Sequence, residues 1–446
     1  MGLALLLLHP APSAAAPEST AEQLYRRGVH CMEVLERAEC AVERFEELLA
    51  EDTRERALIT DAILRLVKLY RETDGADEPL RDVLRRFWAA GGRRSRTGHL
   101  PYSARFLPED LDMIGHVDIQ LGLSAPLLRQ LPPELPEFMT TCDDTRRAAL
   151  ADAWLVRRAQ RRAAKENTST QAALAAIRKE EAARRERYAE RQKAREAERG
   201  EPERAPIFAD SICAVANALG MDSTATWSRA AFAASHRDPR RSAALVMLPD
   251  LAERLADAVR SGRLRALDGR RYVVVDHEYE GGPVEIASFD LDELTIAPAA
   301  LMPTIAAAVD KGRKTMNRDV SKLVSTTPKD LVFFAVTTGE AVQQMGLGEQ
   351  KGGRRKLLEA LLPRPEGLQI AGAVHEYLGV FMRMPTDNAV KVQLLVDLIT
   401  RMLEGEEDEE TAKMLRGLDL ARAGDRKALL ISFVAGPAEI ESMMLD

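Results

Sequence analysis

Four cysteines, Cys31, Cys40, Cys142 and Cys213, are the residues of this chain whose type and spacing most directly suggest chemistry. They form no CxxC pair and have no metal-type spacing. Cys31 and Cys40 fall on neighbouring helical segments across a short turn, close enough to be bridged. Cys142 and Cys213 flank a charged helical insert whose ends an antiparallel hairpin brings together. In an oxidising compartment two disulfides follow, Cys31 to Cys40 and Cys142 to Cys213. The alternative is four buried thiols acting as small hydrophobes.

Other clusters carry less. "DHEYE", 276–280, offers ligand-type side chains, but strand alternation sets His277 and Tyr279 on one face and Asp276, Glu278 and Glu280 on the other. A histidine and its neighbouring carboxylate then do not share one ion, which needs three or four converging ligands. "GLGEQKGGRRK", 346–356, lacks the GxxxxGK[ST] spacing of a phosphate loop and reads as a flexible basic loop. Asp290 and Asp292 sit at a strand turn, where aspartate is ordinary turn chemistry. No GxSxG or HExxH occurs, so no catalytic residue, metal ligand or cofactor is assigned. The acidic run "EGEEDEE", 404–410, reads as a solvated loop or as a weak, salt-sensitive partner for the basic insert.

The chain of 446 residues is 46% hydrophobic and 30% charged, with a net charge of -7. This gives core-forming capacity for about three domains and argues against a wholesale nucleic-acid binder. Aromatic residues, at 5%, leave little surface for stacking bases or sugars. Residues 1–16 open with the apolar run Leu3–Leu8, followed by Ser13 and Ala14–Ala16, and read as a secretory signal peptide without a basic start. A disordered Ala/Pro tail is the alternative. Nothing else in the sequence approaches the length of a membrane-spanning helix, so the mature chain is expected to have no transmembrane segment and to be periplasmic or secreted.

From 21 to 90 the apolar spacing is helical: Leu24, Gly28, Cys31 and Leu35, then Ala41, Phe45 and Leu48, with a second pair carrying Ile63, Leu66, Val67 and Tyr70, then Leu80, Val83, Leu84 and Phe87. Gly28, Ala41 and Phe45 stand where a tetratricopeptide hairpin has its small residues and its aromatic, and the segment resembles that family. Val67 departs from the pattern, as does the spacing between units. The resemblance implies helical hairpins that bind peptide segments; a plain helical bundle is the other reading.

Residues 91–141 form a Gly/Arg- and Pro-punctuated connector with one strand at 111–119. Residues 143–204 stand apart, with 17 Lys and Arg against 10 Asp and Glu between Arg146 and Arg204. Two helices, about 145–165 and 170–199, break at "ENTST" and form a hairpin or one extended arm. Arg157, Arg158, Arg161, Arg162 and Lys165 give the first helix a basic contact face, although interleaved glutamates blunt its field. Residues 205–446 begin with a helical stretch and then mix strands and helices. Strands at "RYVVVDHEY", "GPVEIASFDL", "ELTIAP", "DLVFFAVTT", "GLQIAGAVHEY", "LGVFMRMP", "LDLARAG" and "KALLISFVAG" alternate with helices. The predicted fold class is α+β multidomain: N-terminal helical hairpins, a charged helical arm, and C-terminal antiparallel sheets with helices on one face. The last part reads as duplicated, 205–330 and 331–446, with "HEY" recurring at His277 and His375.

These features point to a secreted or periplasmic non-enzymatic binding or scaffold protein that engages a protein or cell-envelope partner. One alternative is a hydrolase whose site gathers His277, His375 and carboxylates from distant strand ends. Another is nucleic-acid binding through the basic arm, the less favoured partner.

Overall fold

A computed structural model describes residues 19–51, 55–73, 76–89, 100–199, 208–238, 240–279, 282–328, 331–347, 363–404, 418–422 and 427–445. Residues 1–16, read above as a signal peptide, most of the "GLGEQKGGRRK" loop and nearly all of the acidic run lie outside them.

Two helical hairpins come first: α1 (Thr20–Glu33) with α2 (Ala38–Ala50), and α3 (Arg56–Arg71) with α4 (Asp77–Ala89). Ser19 and Glu22 close a reciprocal capping box that fixes where α1 begins. Gly28 lies under the Phe45 ring, where a Cβ would meet ring carbons at 2.5–2.9 Å, and Ala41 is fully buried beside them. The small residues and the aromatic picked out by spacing therefore sit at one helix contact.

A 3-10 turn (Tyr102–Phe106) leads to β1 (Met113–Asp118), then to the short helices α5 (Ile119–Ser124), α6 (Pro126–Gln130) and α7 (Glu134–Thr140). The charged insert is an antiparallel hairpin of α8 (Asp144–Glu166) and α9 (Thr170–Arg199). Asp143 caps α8 by accepting from the N–H groups of Thr145 and Arg146, and Asn167, in the left-handed region at φ 54°, ends it. After α10 (Phe208–Ala218) come β2 (Arg229–Ala234), β3 (Ser242–Met247), α11 (Leu251–Arg260), β4 (Leu264–Ala266), β5 (Arg271–Tyr279), β6 (Gly282–Asp290), β7 (Glu293–Pro298), α12 (Met302–Asp310) and α13 (Arg318–Ser325). The chain closes with β8 (Phe333–Thr338), α14 (Gly339–Leu347), β9 (Gly367–Val374), β10 (Leu378–Pro385), α15 (Ala389–Glu404), β11 (Leu418–Arg422), β12 (Ala428–Ala435) and α16 (Pro437–Leu445).

The class is α+β, and the twelve strands among the described residues join one antiparallel sheet in the order β11-β12-β10-β9-β8-β1-β2-β3-β7-β6-β5-β4. The connector strand β1 is central, paired with β2 on one side and β8 on the other. Outward from that pair the succession is β2, β3, β7, β6 in one direction and β9, β10, β12, β11 in the other. In this count β9 corresponds to β2, so the "HEY" triplets, in β5 and after β9, do not occupy corresponding places.

Helices cover both faces of the sheet, where one face was expected. Ala231, Ala243, Ala287 and Ala297 face a core shared with α1–α4, α12 and α13, whereas their neighbours Ala230, Ala244, Ile286 and Ile296 face α10 and α11. Near the β12 end, α6 and α16 cover the second face through Leu127, Leu131 and Ile440. The two-sided burial explains why β2 and β3, "RAAFAA" and "SAALVM", show no polar alternation and fall within what the sequence presents as helical. Because α1–α4 pack into the same core as the sheet, the hairpins are one face of the fold. Among the described residues no helix is long and apolar enough to cross a membrane.

Candidate functional site

The densest group of chemistry-bearing side chains lies between α1, α3 and the turn joining β9 to β10. Arg65 and Asp61 are fully buried, one helical turn apart on α3, with Arg65 Nε 2.7 Å from Asp61 Oδ2. Arg65 Nη1 reaches Glu33 Oε1 of α1 at 2.7 Å, and Nη2 bonds Glu376 in the turn. The guanidinium lies 5.9 Å from the Tyr25 ring centre and 5.4 Å from that of Tyr377. The Tyr25 hydroxyl donates to Asp61, and His375 Nδ1 stands 2.9 Å from Asp61 Oδ1.

These groups hold each other's protonation states. Burial works against the charge on Arg65, but Asp61 and Glu33 raise its pKa above the ordinary value. Burial likewise opposes the Asp61 anion, yet the adjoining His375 and the charge of Arg65 bring its carboxyl down to about 2. Tyr25 is raised by burial and by the Asp61 charge. Arg65 distributes its donors over three carboxylates and two aromatic faces, a geometry suited to holding a turn in place. The space between α1 and α3 is thus filled by this chain's own residues His375–Tyr377.

The disulfide candidates fall where the hairpins put them. Cys31 and Cys40 are bonded across the α1–α2 turn with Cα atoms 5.7 Å apart, and Cys142 and Cys213 are bonded at the root of the arm with Cα atoms 5.0 Å apart. Arg147 reinforces that root, donating to Thr141 O at 2.6 Å and to Cys213 Sγ at 3.2 Å. The arm has a short seam of its own, Ala159, Ala163, Ala173 and Ile177 with Leu155 and Leu174 against it.

The basic face of α8 is largely neutralised. Arg157 pairs with Glu134 at 3.1 Å, Arg158 with Glu181 at 3.5 Å, and Arg162 with Glu166 and Glu180 at 2.8 Å each. Arg161 is exposed, and Lys165 lies one turn beyond it, also exposed.

His277 and His375 do not share a site: His277 Nε2 is 3.4 Å from Ser211 Oγ of α10, whereas His375 belongs to the Asp61 cluster. Of the "DHEYE" cluster only the His277 side chain is among those described, and among the described residues no group of three His, Cys, Asp or Glu could hold a metal ion. A cleft of about 580 Å3 between α11 and the β4–β5 turn is lined by Leu255, Val259, Tyr272 and Ser288. The carboxylate beside it, Asp268, is occupied by Arg271 Nε at 2.6 Å and by two backbone N–H groups.

Two groups carry no sequence motif. His236 bridges Asp112, before β1, and Gln344 Oε1 of α14, the latter at 2.9 Å, and so clasps the β2–β3 turn. Glu293, buried at the start of β7, accepts from Ser103 N at 2.7 Å, from Tyr102 N and from the Ser103 hydroxyl. Burial raises its carboxyl to about 7 against the pull of those N–H groups. Both residues join segments more than a hundred positions apart, which leaves no local pattern to read. Compared with known proteins, the chain matches no family model, no curated protein and no solved structure.

Proposed function

We propose that this chain is a secreted or periplasmic, non-enzymatic binding protein that engages a protein or envelope partner through its charged helical arm. The observation that carries this reading is the arm: helices of 23 and 30 residues, seamed near their tip and fastened at the root by a cystine. A hairpin so polar on its outside contributes little to the main core, and a bonded root limits the orientations in which it presents its surface. Two disulfides support an oxidising compartment. The Asp61–Arg65 cluster supports the choice of the arm over the N-terminal hairpins, since the turn after β9 already fills their inner face.

The test is photo-crosslinking in the native host from side chains introduced at Lys179 and Arg184 on α9, with Arg260 on α11 as a control. A discrete adduct from the arm positions alone is the expected result. Equal labelling from all three positions, or none from any, would remove the arm as the contact surface.

A further inference from the structure

The turn between α12 and α13, with the first two turns of α13, presents five exposed cations within twelve residues: Lys311, Arg313, Lys314, Arg318 and Lys322. Unlike Arg157, Arg158 and Arg162 on the arm, none of the five has an ion-pair partner among the described residues. The acidic residue within this stretch and the one just before it do not cover them. Asp310 is turned to Arg270 at 3.3 Å, and Asp319 lies in the first turn of α13, where a carboxylate complements the helix end.

The turn is held rigidly. Thr315 N and Met316 N donate to Arg105 O at 3.0 and 3.2 Å, the Thr315 hydroxyl donates to Phe106 O at 2.7 Å, and Asn317 Nδ2 donates to Glu109 O at 2.9 Å. The same 3-10 turn displays Tyr102, 44% exposed, with the Arg105 guanidinium 4.4 Å from its ring centre. A fixed group of unneutralised cations edged by an amphipathic aromatic matches a lipid headgroup layer, where Lys and Arg meet phosphates and Tyr sits at the polar boundary.

We propose that the Lys311–Lys322 turn, with Tyr102 at its edge, is a contact surface for the anionic phospholipid headgroups of a membrane. This rests on the envelope-facing reading above and names a second attachment beside the arm. The oxidising compartment favours lipid over nucleic acid as the polyanion.

The test is co-sedimentation of the purified full-length chain with vesicles of phosphatidylglycerol and phosphatidylcholine, against vesicles of phosphatidylcholine alone. Binding is expected only to the anionic vesicles and only at low salt. Each cation near such a surface contributes roughly fivefold in partitioning, so the triple variant K311E/R313E/K314E should lose about a hundredfold or more. R260E/R265E, two exposed cations on α11 and β4 away from both surfaces, should bind like the parent, and unchanged circular dichroism would confirm that the triple variant is folded. A milder K311Q/R313Q/K314Q variant should show an intermediate loss. Equal binding to both vesicle types, no binding to either, or full retention by the triple variant would overturn the proposal. So would tighter, salt-sensitive binding to duplex DNA through the same three residues. Vesicle binding is read on purified protein and arm crosslinking in the host, so either result can fail without the other.

Discussion

His375 Nδ1 stands 2.9 Å from Asp61 Oδ1, so the turn after β9 is tied by charge to the buried side of α3. The Asp61 carboxylate in contact with it raises His375 above its ordinary 6.5, outweighing the effect of burial, and Asp61 is brought down to about 2 from 3.8. The two signs differ. His375 contributes stability that is complete below pH 6.5 and is lost as pH rises through its raised folded value. Asp61 contributes stability that is present above pH 3.8 and is lost as pH falls toward 2. Urea midpoints of the parent chain should therefore decline above pH 6.5, and His375→Gln should remove that component of the decline. Parallel profiles for the two chains would show that the pair does not titrate as described.

The two disulfides close loops of different length, 9 and 71 residues. Loop-closure entropy assigns about 2.5 kcal/mol to the short one and about 4 kcal/mol to the long one. Replacing Cys142 and Cys213 together by Ser should lower the denaturant midpoint more than the same replacement of Cys31 and Cys40. Hydrogen exchange should accelerate first in α8 and α10, which the longer bridge joins. The reverse order of midpoints would mean that native contacts at the arm root already restrict the open chain.

Gly28 and Phe45 test the helical contact by which the N-terminal hairpins resemble a known repeat. A methyl group at position 28 would lie 2.5 Å from a ring carbon of Phe45, inside any ordinary contact. Gly28→Ala should cost about 1–3 kcal/mol by overpacking, despite alanine's better helix propensity. Combining it with Phe45→Leu should recover part of that loss relative to the sum of the single changes. Neutral or stabilising behaviour of Gly28→Ala would show that α1 moves away from α2 at no cost.

Local spacing carried the helical hairpins, the break at Asn167, the strands from Arg271 onward and both cysteine pairings, because each depends on residues close in sequence or on the two ends of one hairpin. It failed at β2 and β3: alanine favours helix, and a strand buried on both faces loses the alternation that marks strands. It also left β1 in a connector, since nothing in "MIGHVD" says that β2 and β8 will flank it. The strand order repeats about β1 and β8, and in the chain the arm lies between β1 and β2. Arg65 was hidden for another reason. Its carboxylate partners come from α1, α3 and the turn after β9, and charges on an amphipathic helix ordinarily read as solvent-facing.

Glu293 makes the last prediction, because two opposing effects act on one carboxyl. Burial favours the neutral acid, while the N–H groups of Tyr102 and Ser103 favour the anion, and burial prevails at about 7. A carboxyl with a raised folded pKa stabilises fully below its unfolded value and loses that contribution as pH rises. Between pH 4.5 and 7 the loss is on the order of 3 kcal/mol. Carbon-detected NMR should find this carboxyl titrating near neutrality, and Glu293→Gln, which cannot ionise, should flatten the stability profile over that window. A carboxyl titrating below 4.5 would mean that the N–H donors outweigh burial. In that case Glu293 would be a buried anion anchoring the 3-10 turn to β7, and its stabilising effect would grow with pH.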